Sequence, residues 1–196
     1  MLLSVQVSIM TVWQTFQAHT GRQIDKWRHY FPVYESYFAR FVNTSVRVLE
    51  IGVDHGGSLQ LWKSYFGSRA TIIGIDIDPR CKDYQEEQIG VIIADQKNPA
   101  LAHLDPFDII IDDGSHIRTD QETTFRQLWP KCKGVYLIED CHGLYPKLDP
   151  QPPLTKYYPW MVVCEREQRI IKGTPSRPLR GDEKEARALY GEIPHG

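Results

Sequence analysis

The chain has 196 residues, 41% of them hydrophobic and 24% charged, which is the composition of one globular domain with a full core. A formal net charge of −2 gives no electrostatic reason to expect nucleic acid or an anionic membrane as a partner. Residues 1–12 are apolar but too short to span a bilayer, and no Lys or Arg precedes them; neither a signal peptide nor a membrane span is expected, and a cytoplasmic protein is.

Residues 10–42 read as largely helical, with Tyr34, Tyr37, Phe38 and Phe41 at helical spacing and Pro32 suited to a first turn. An α/β alternation follows. A strand is expected over 46–51, a glycine-bearing loop over 52–57, and a helix over 58–66 with Leu59, Trp62 and Phe66 on one side. Further strands are expected over 71–75, ending at Asp76-Ile77-Asp78-Pro79, and over 91–94, ending at Asp95. The apolar run 107–111 predicts a fourth strand. A helix over 120–129 follows it, with Thr119-x-x-Glu122 in the pattern of a capping box, and then a fifth strand over 135–138.

Strand and helix alternating at this spacing predict an α/β fold with a mainly parallel sheet. Residues 149–153 read as loop, and 160–164 with 169–172 as an antiparallel hairpin on the sheet edge. Residues 173–181 read as exposed loop and 182–190 as a last helix. The whole is expected as one domain: an N-terminal helical lid over 1–45, a core over 46–172 and a tail over 173–196. Cys81, Cys132, Cys141 and Cys164 form no Cys-x-x-Cys pair and are expected as reduced, with Cys141 a small buried hydrophobe.

Two acidic clusters end the fourth and fifth strands: Asp112-Asp113-Gly114-Ser115-His116 and Glu139-Asp140. Parallel strands end together along one sheet edge, so four carboxylates and an imidazole share a small space. Burying that charge unpaired is very unfavourable, and a hard divalent cation is the simplest neutraliser. Strand alternation turns Asp112 away from Asp113. Glycines in the loop Glu50-Ile51-Gly52-Val53-Asp54-His55-Gly56-Gly57-Ser58 let a ligand approach the backbone, which suggests a nucleotide site. Glu50 and Asp54 would repel a pyrophosphate but attract the sulfonium and ammonium of S-adenosylmethionine, which the charge balance favours over NAD. Asp76 is placed to take ribose hydroxyls, and Asp95, supported by Gln96, to reach the adenine side.

Together these motifs resemble the class I S-adenosylmethionine-dependent methyltransferases of Rossmann-like fold. The nearer resemblance is to metal-dependent macrolide sugar O-methyltransferases of the macrocin and mycinamicin type, with cephalosporin-hydroxylase-like proteins as relatives. It is carried by Asp25-Lys26-Trp27, Tyr34-Glu35, the glycine loop, Gly74-Ile75-Asp76-Ile77-Asp78, Asp112–His116 and the stretch 136–140. The resemblance implies Mg²⁺ held by Asp113, Glu139 and Asp140, with His116 as general base. It implies a cofactor site lined by Glu50, Gly52, Ser58, Asp76 and Asp95, to which the loop reading adds Asp54, Gly56 and Gln96. It also implies a small hydroxylated acceptor, such as a sugar or glycoside. Asp54 stands where the second glycine of the common Gly-x-Gly pattern falls, and the region after Asp140 is short. A homo-oligomer is left open. A noncatalytic protein of the same fold and a NAD-linked oxidoreductase are the rival readings.

Overall fold

The computed structural model describes residues 10–166. Two N-terminal helices, α1 (Val12–Gln17) and α2 (Tyr30–Phe38), precede a seven-stranded sheet. Its strands are β1 (Arg47–Ile51), β2 (Thr71–Asp76), β3 (Ile89–Ile93), β4 (Phe107–Asp112), β5 (Cys132–Ile138), β6 (Leu154–Tyr158) and β7 (Met161–Glu165). Helix α3 (Gly57–Phe66) joins β1 to β2, and α4 (Arg118–Leu128) joins β4 to β5. The strand order is β3-β2-β1-β4-β5-β7-β6, with the first five parallel and the β7–β6 pair antiparallel. This is a Rossmann-like α/β sheet, mainly parallel with an antiparallel C-terminal hairpin, as expected. After β3 the chain returns to the other side of β1, so the strand order reverses between β1 and β4. In open α/β sheets that reversal opens a crevice at the strand ends.

The runs of Val, Ile and Leu that form the central strands are buried on both faces, as parallel strands must be. One face carries α1–α3: Tyr34, Phe38, Trp62 and Phe66 pack on Val48, Ile109, Ile111 and Leu137. The other carries α4: Phe125 and Leu128 pack with Leu49, Ile110, Tyr136 and Ile138. Trp62 is fully buried and meets the Tyr34 ring edge-on at 5.1 Å. Truncating such a side chain typically costs about 3–5 kcal/mol.

Three expectations are corrected. The helical reading of 10–42 holds for α1, α2 and the 3₁₀ turn Ala39–Phe41, but residues 18–29 form a non-helical strap. The strap is pinned to α3: the Arg22 backbone N–H donates to Gln60 Oε1 at 2.9 Å, and a Cβ on Gly57 would lie 2.0 Å from the Gln23 carbonyl oxygen. Gly57 is therefore a close-approach glycine whose neighbour is protein backbone rather than a ligand.

The Thr119–Glu122 capping box is absent, because Thr119 lies within α4 behind the N-cap Ile117. Ser115 substitutes, accepting from the Ile117 N–H and donating to Asp120. The hairpin also closes differently. β7 covers the expected first arm but pairs backward with β6 across the tight turn Pro159-Trp160. The expected arm 169–172, the loop 173–181 and the helix 182–190 lie outside the described residues. β5 pairs directly with antiparallel β7, so no crossover helix is needed between them. The four cysteines are free and buried.

Candidate functional site

Glu50 on β1, Asp113 just after β4 and Glu139 just after β5 come together at the reversal point. The register pairs Ile51 with Asp112 and Asp112 with Ile138, which sets Asp112 among the side chains of the α4 face. Glu50, Asp113 and Glu139, each offset by one residue, emerge on the opposite face. There the strap inserts Lys26, whose side chain is only 2% exposed. Its ammonium lies 2.5 Å from Asp113 Oδ2, 3.1 Å from Glu139 Oε2 and 3.2 Å from Glu50 Oε1.

Burial alone would discharge that lysine. Asp113, Glu139, Tyr34 and Glu50 outweigh it and hold the ammonium well above its usual pKa. Burial likewise pushes Glu50, Asp113 and Glu139 upward, with Lys26 opposing in each case. One ammonium cannot balance three carboxylates, and Asp140 adjoins them, so the cluster remains short of positive charge.

Helix α2 supplies two further contacts. Tyr34 donates to Glu139 Oε1 at 2.8 Å, and Tyr30 donates to Asp140 Oδ1 at 2.7 Å. These residues are four apart and so share a helix face. Both oxygens of Glu139 are thus engaged by protein groups. Asp113 and Asp140 remain partly open to a cleft, where one ligand atom from each and one from His116 lie within 4.8 Å of one another. His116 Nε2 is 3.7 Å from Asp140 Oδ2.

The cleft has a volume of about 680 Å³. Of the residues expected to hold a cofactor, Gly52, Asp54, Ser58 and Asp76 line it. An adjoining hollow of about 220 Å³ is lined by Asp95 and Gln96, and shares Gly52, Asp76 and Gly114 with the cleft. Glu50 does not line the cleft. It is fully buried beneath it and accepts from Ser58 Oγ at 2.8 Å and Trp62 Nε1 at 3.1 Å as well as from Lys26. Gly56, with φ +73°, is the left-handed N-cap of α3 against the Tyr84 ring.

Asp76 holds the glycine loop itself, accepting from the Val53 and Asp54 N–H groups at 2.7 and 3.2 Å. Gly52, at φ +88°, lets that loop touch the next strand end, since a Cβ there would lie 2.0 Å from the Asp113 carbonyl oxygen. Asp95 caps its own turn by accepting from Lys97 N–H. Gln96 is bonded to Ser115 N–H and Thr124 Oγ1. Asp78 caps the 3₁₀ turn Pro79–Tyr84 and pairs with Arg80; Arg80 therefore holds its carboxyl below the usual carboxylate range.

Lys26, Trp27, Tyr30 and His142 also line the cleft, although the sequence offers no site role for Lys26 or Trp27 and favours a core role for Tyr30 and a surface or packing role for His142. The Asp25-Lys26-Trp27 motif and the four-residue step from Tyr30 to Tyr34 were the available signals. Trp27, 47% exposed, meets Trp160 edge-on at 4.8 Å, and Trp160 packs on His142 at 5.8 Å, which gives the cleft an aromatic wall. Four lining residues other than glycine adopt positive φ: Asp54 (46°), His116 (56°), Asp140 (52°) and His142 (40°). Such conformations cost roughly 1–3 kcal/mol each and gather where a fold enforces a functional geometry.

No family model matches the chain. The chain is similar to demethylmacrocin O-methyltransferase of Streptomyces fradiae, 40% identical over 132 residues, which cover 60% of this chain and 33% of that protein. It is also similar to 8-demethyl-8-alpha-L-rhamnosyl tetracenomycin-C 2'-O-methyltransferase of Streptomyces olivaceus, 38% identical over 137 residues, covering 62% and 36%. The chain spans about a third of the length of these curated relatives. Among solved structures it is similar to the MycE methyltransferase of the mycinamycin biosynthetic pathway in complex with Mg and SAH. That match has a TM-score of 0.65 and 26% identity and covers 80% of this chain and 54% of that one. The MycE complex with Mg, SAH and mycinamycin VI matches with a TM-score of 0.63 and 29% identity over 76% and 54%.

Proposed function

We propose that the chain is an S-adenosylmethionine-dependent, Mg²⁺-assisted O-methyltransferase that methylates a hydroxyl of a small molecule, a sugar or glycoside. The observation that carries this reading is one cleft at the sheet's reversal point that joins the Asp54/Asp76 loop to the Asp113–His116–Asp140 group. Sequence similarity to sugar O-methyltransferases and fold similarity to MycE support it.

The residues present fit both groups. The two lysine or arginine side chains lining the cleft, Lys26 and Arg80, are both ion-paired, so neither is free for a pyrophosphate. The acidic lining suits the cationic donor instead. When bound, S-adenosylmethionine supplies an electrophilic methyl group. Asp113 and Asp140 offer carboxylate oxygens of the kind Mg²⁺ takes, and it keeps waters for its remaining positions. Glu139 already accepts from Lys26 and Tyr34, one on each oxygen, which leaves it less negative charge to share with a metal. A divalent ion held by these residues would supply Lewis-acid chemistry that makes an acceptor hydroxyl more acidic.

The chain's own residues do the rest. His116, at the cleft edge, accepts the acceptor's hydroxyl proton at an imidazole nitrogen. Asp140, fixed by Tyr30, faces that imidazole at 3.7 Å and helps to orient it. Trp27 and His142 close the cleft's other side and keep the acceptor against the strand ends. Alignment of the two reactants supplies much of the acceleration.

Transfer of an isotope-labelled methyl group to a panel of glycosides tests the reading. EDTA and Asp113→Ala are expected to abolish transfer. His116→Ala is expected to retain S-adenosylmethionine affinity while lowering kcat by about 100-fold or more. Transfer undiminished by EDTA would remove the metal from the mechanism, and absence of S-adenosylmethionine binding would remove the activity.

A further inference from the structure

Lys26 is the one cation buried in the acidic cluster among the described residues, and it comes from outside the sheet. Its three carboxylate partners belong to three different strand ends. The strap that carries it is anchored. Arg22, four residues earlier, is bonded to Gln60 and to Glu86, and Gly57 packs against the Gln23 carbonyl with no side chain between. The partners are equally fixed: Glu50 by Ser58 and Trp62, Glu139 by Tyr34.

Resting on the metal-assisted reading above, we propose that Lys26 is a resident cation that divides the cluster between two positive charges. It takes Glu50, Glu139 and one oxygen of Asp113, and leaves a divalent ion only the cleft-facing carboxylates of Asp113 and Asp140. Lys26 is thus a positioning residue with a definite electrostatic consequence. It keeps the metal at the cleft surface, where an acceptor hydroxyl can reach it, and keeps the metal's affinity low. Two like charges share Asp113, and Glu139, the further lining carboxylate that would strengthen metal binding, already accepts from Lys26 and Tyr34. Affinity for hard cations follows the number of anionic ligands available. Removing the ammonium frees one oxygen each of Asp113 and Glu139 and takes away one repulsion, so a divalent ion should bind on the order of tenfold tighter or more.

The test uses Mn²⁺ as the probe, with binding followed by titration calorimetry or by the loss of the free-ion paramagnetic resonance signal. The full chain is compared with Lys26→Met and with the charge-compensated double variant Lys26→Met/Glu50→Gln, which removes one carboxylate that is not a proposed metal ligand. Tighter Mn²⁺ binding by either variant supports the proposal, as does folding of a variant that becomes dependent on Mn²⁺. Affinity equal to or weaker than that of the unsubstituted chain overturns it while leaving the metal-assisted reading intact. Variants that stay unfolded with and without Mn²⁺ overturn it too, because Lys26 then serves the fold alone. Failure of the unsubstituted chain and every folded variant to bind Mn²⁺ removes both the proposal and the reading on which it rests.

Discussion

Asp112 and Asp113 are adjacent in sequence and face opposite sides of the sheet. Asp113 meets Lys26, whereas no side-chain donor reaches either oxygen of Asp112. Burial pushes the Asp112 carboxyl up to about 8, with the Gly114 backbone only partly opposing. A carboxyl with a raised folded pKa keeps its proton longer in the folded state, so stability falls as pH rises from about 4 to about 8. Asp112→Asn removes that loss. It is expected to raise the melting temperature at pH 7, where the ceiling is about 4 kcal/mol, and to change little at pH 4. Melting curves at the two pH values check this; an equal effect at both would mean that Asp112 is ionised in the fold. Strand alternation was enough to separate these two residues in the sequence. Glu50 was harder, because a carboxylate in a glycine loop looks ligand-facing when its partner lies 24 positions earlier in a segment that reads as helix. The sequence could show the need for positive charge at the strand ends, but not that part of it is supplied by a lysine.

At the level of elements, the strands and α3 were legible because their apolar runs and their spacing report burial directly. The strap was not. Its conformation comes from contacts with α3 and the strand ends, which no local pattern encodes, and the helical spacing of Tyr34, Phe38 and Phe41 colours the reading of its neighbours. The backbone-to-backbone approach at Gly57 offers a sharp test of the strap. Gly57→Ala places a Cβ against a carbonyl that cannot rotate away, and is expected to cost about 1–3 kcal/mol as overpacking. The strap should shift rather than α3, whose side chains sit in the core. Chemical denaturation gives the cost, and faster proteolytic cleavage within residues 18–29 reports the shift. Unchanged stability and unchanged cleavage would show that the strap is not held by this contact. Because the strap carries Lys26 and Trp27, the same substitution should also disturb the cleft.

Over the whole molecule, a net charge of −2 conceals a strong local imbalance. Asp25, Asp54, Asp76, Asp78, Asp113, Glu139 and Asp140 all line the one cleft, against two lysine or arginine side chains that are both paired. Low-dielectric walls focus such a field, so the cleft should reject an anionic pyrophosphate even on a ligand that shares the adenosine. S-adenosylhomocysteine and NADH share that adenosine and differ in charge: the first is an amino-acid zwitterion, neutral overall and without phosphate, whereas the second carries an anionic pyrophosphate. At a concentration 100 times its dissociation constant, S-adenosylhomocysteine should stabilise the fold by about 2.7 kcal/mol. For a domain of this size that raises the melting temperature by roughly 5–10 °C. NADH at the same concentration should leave it unchanged, because its pyrophosphate would meet carboxylates and no unpaired cation. A shift with NADH and none with S-adenosylhomocysteine would reverse the cofactor assignment. The acidic cleft would then have to gain a cation of its own before it could hold a dinucleotide.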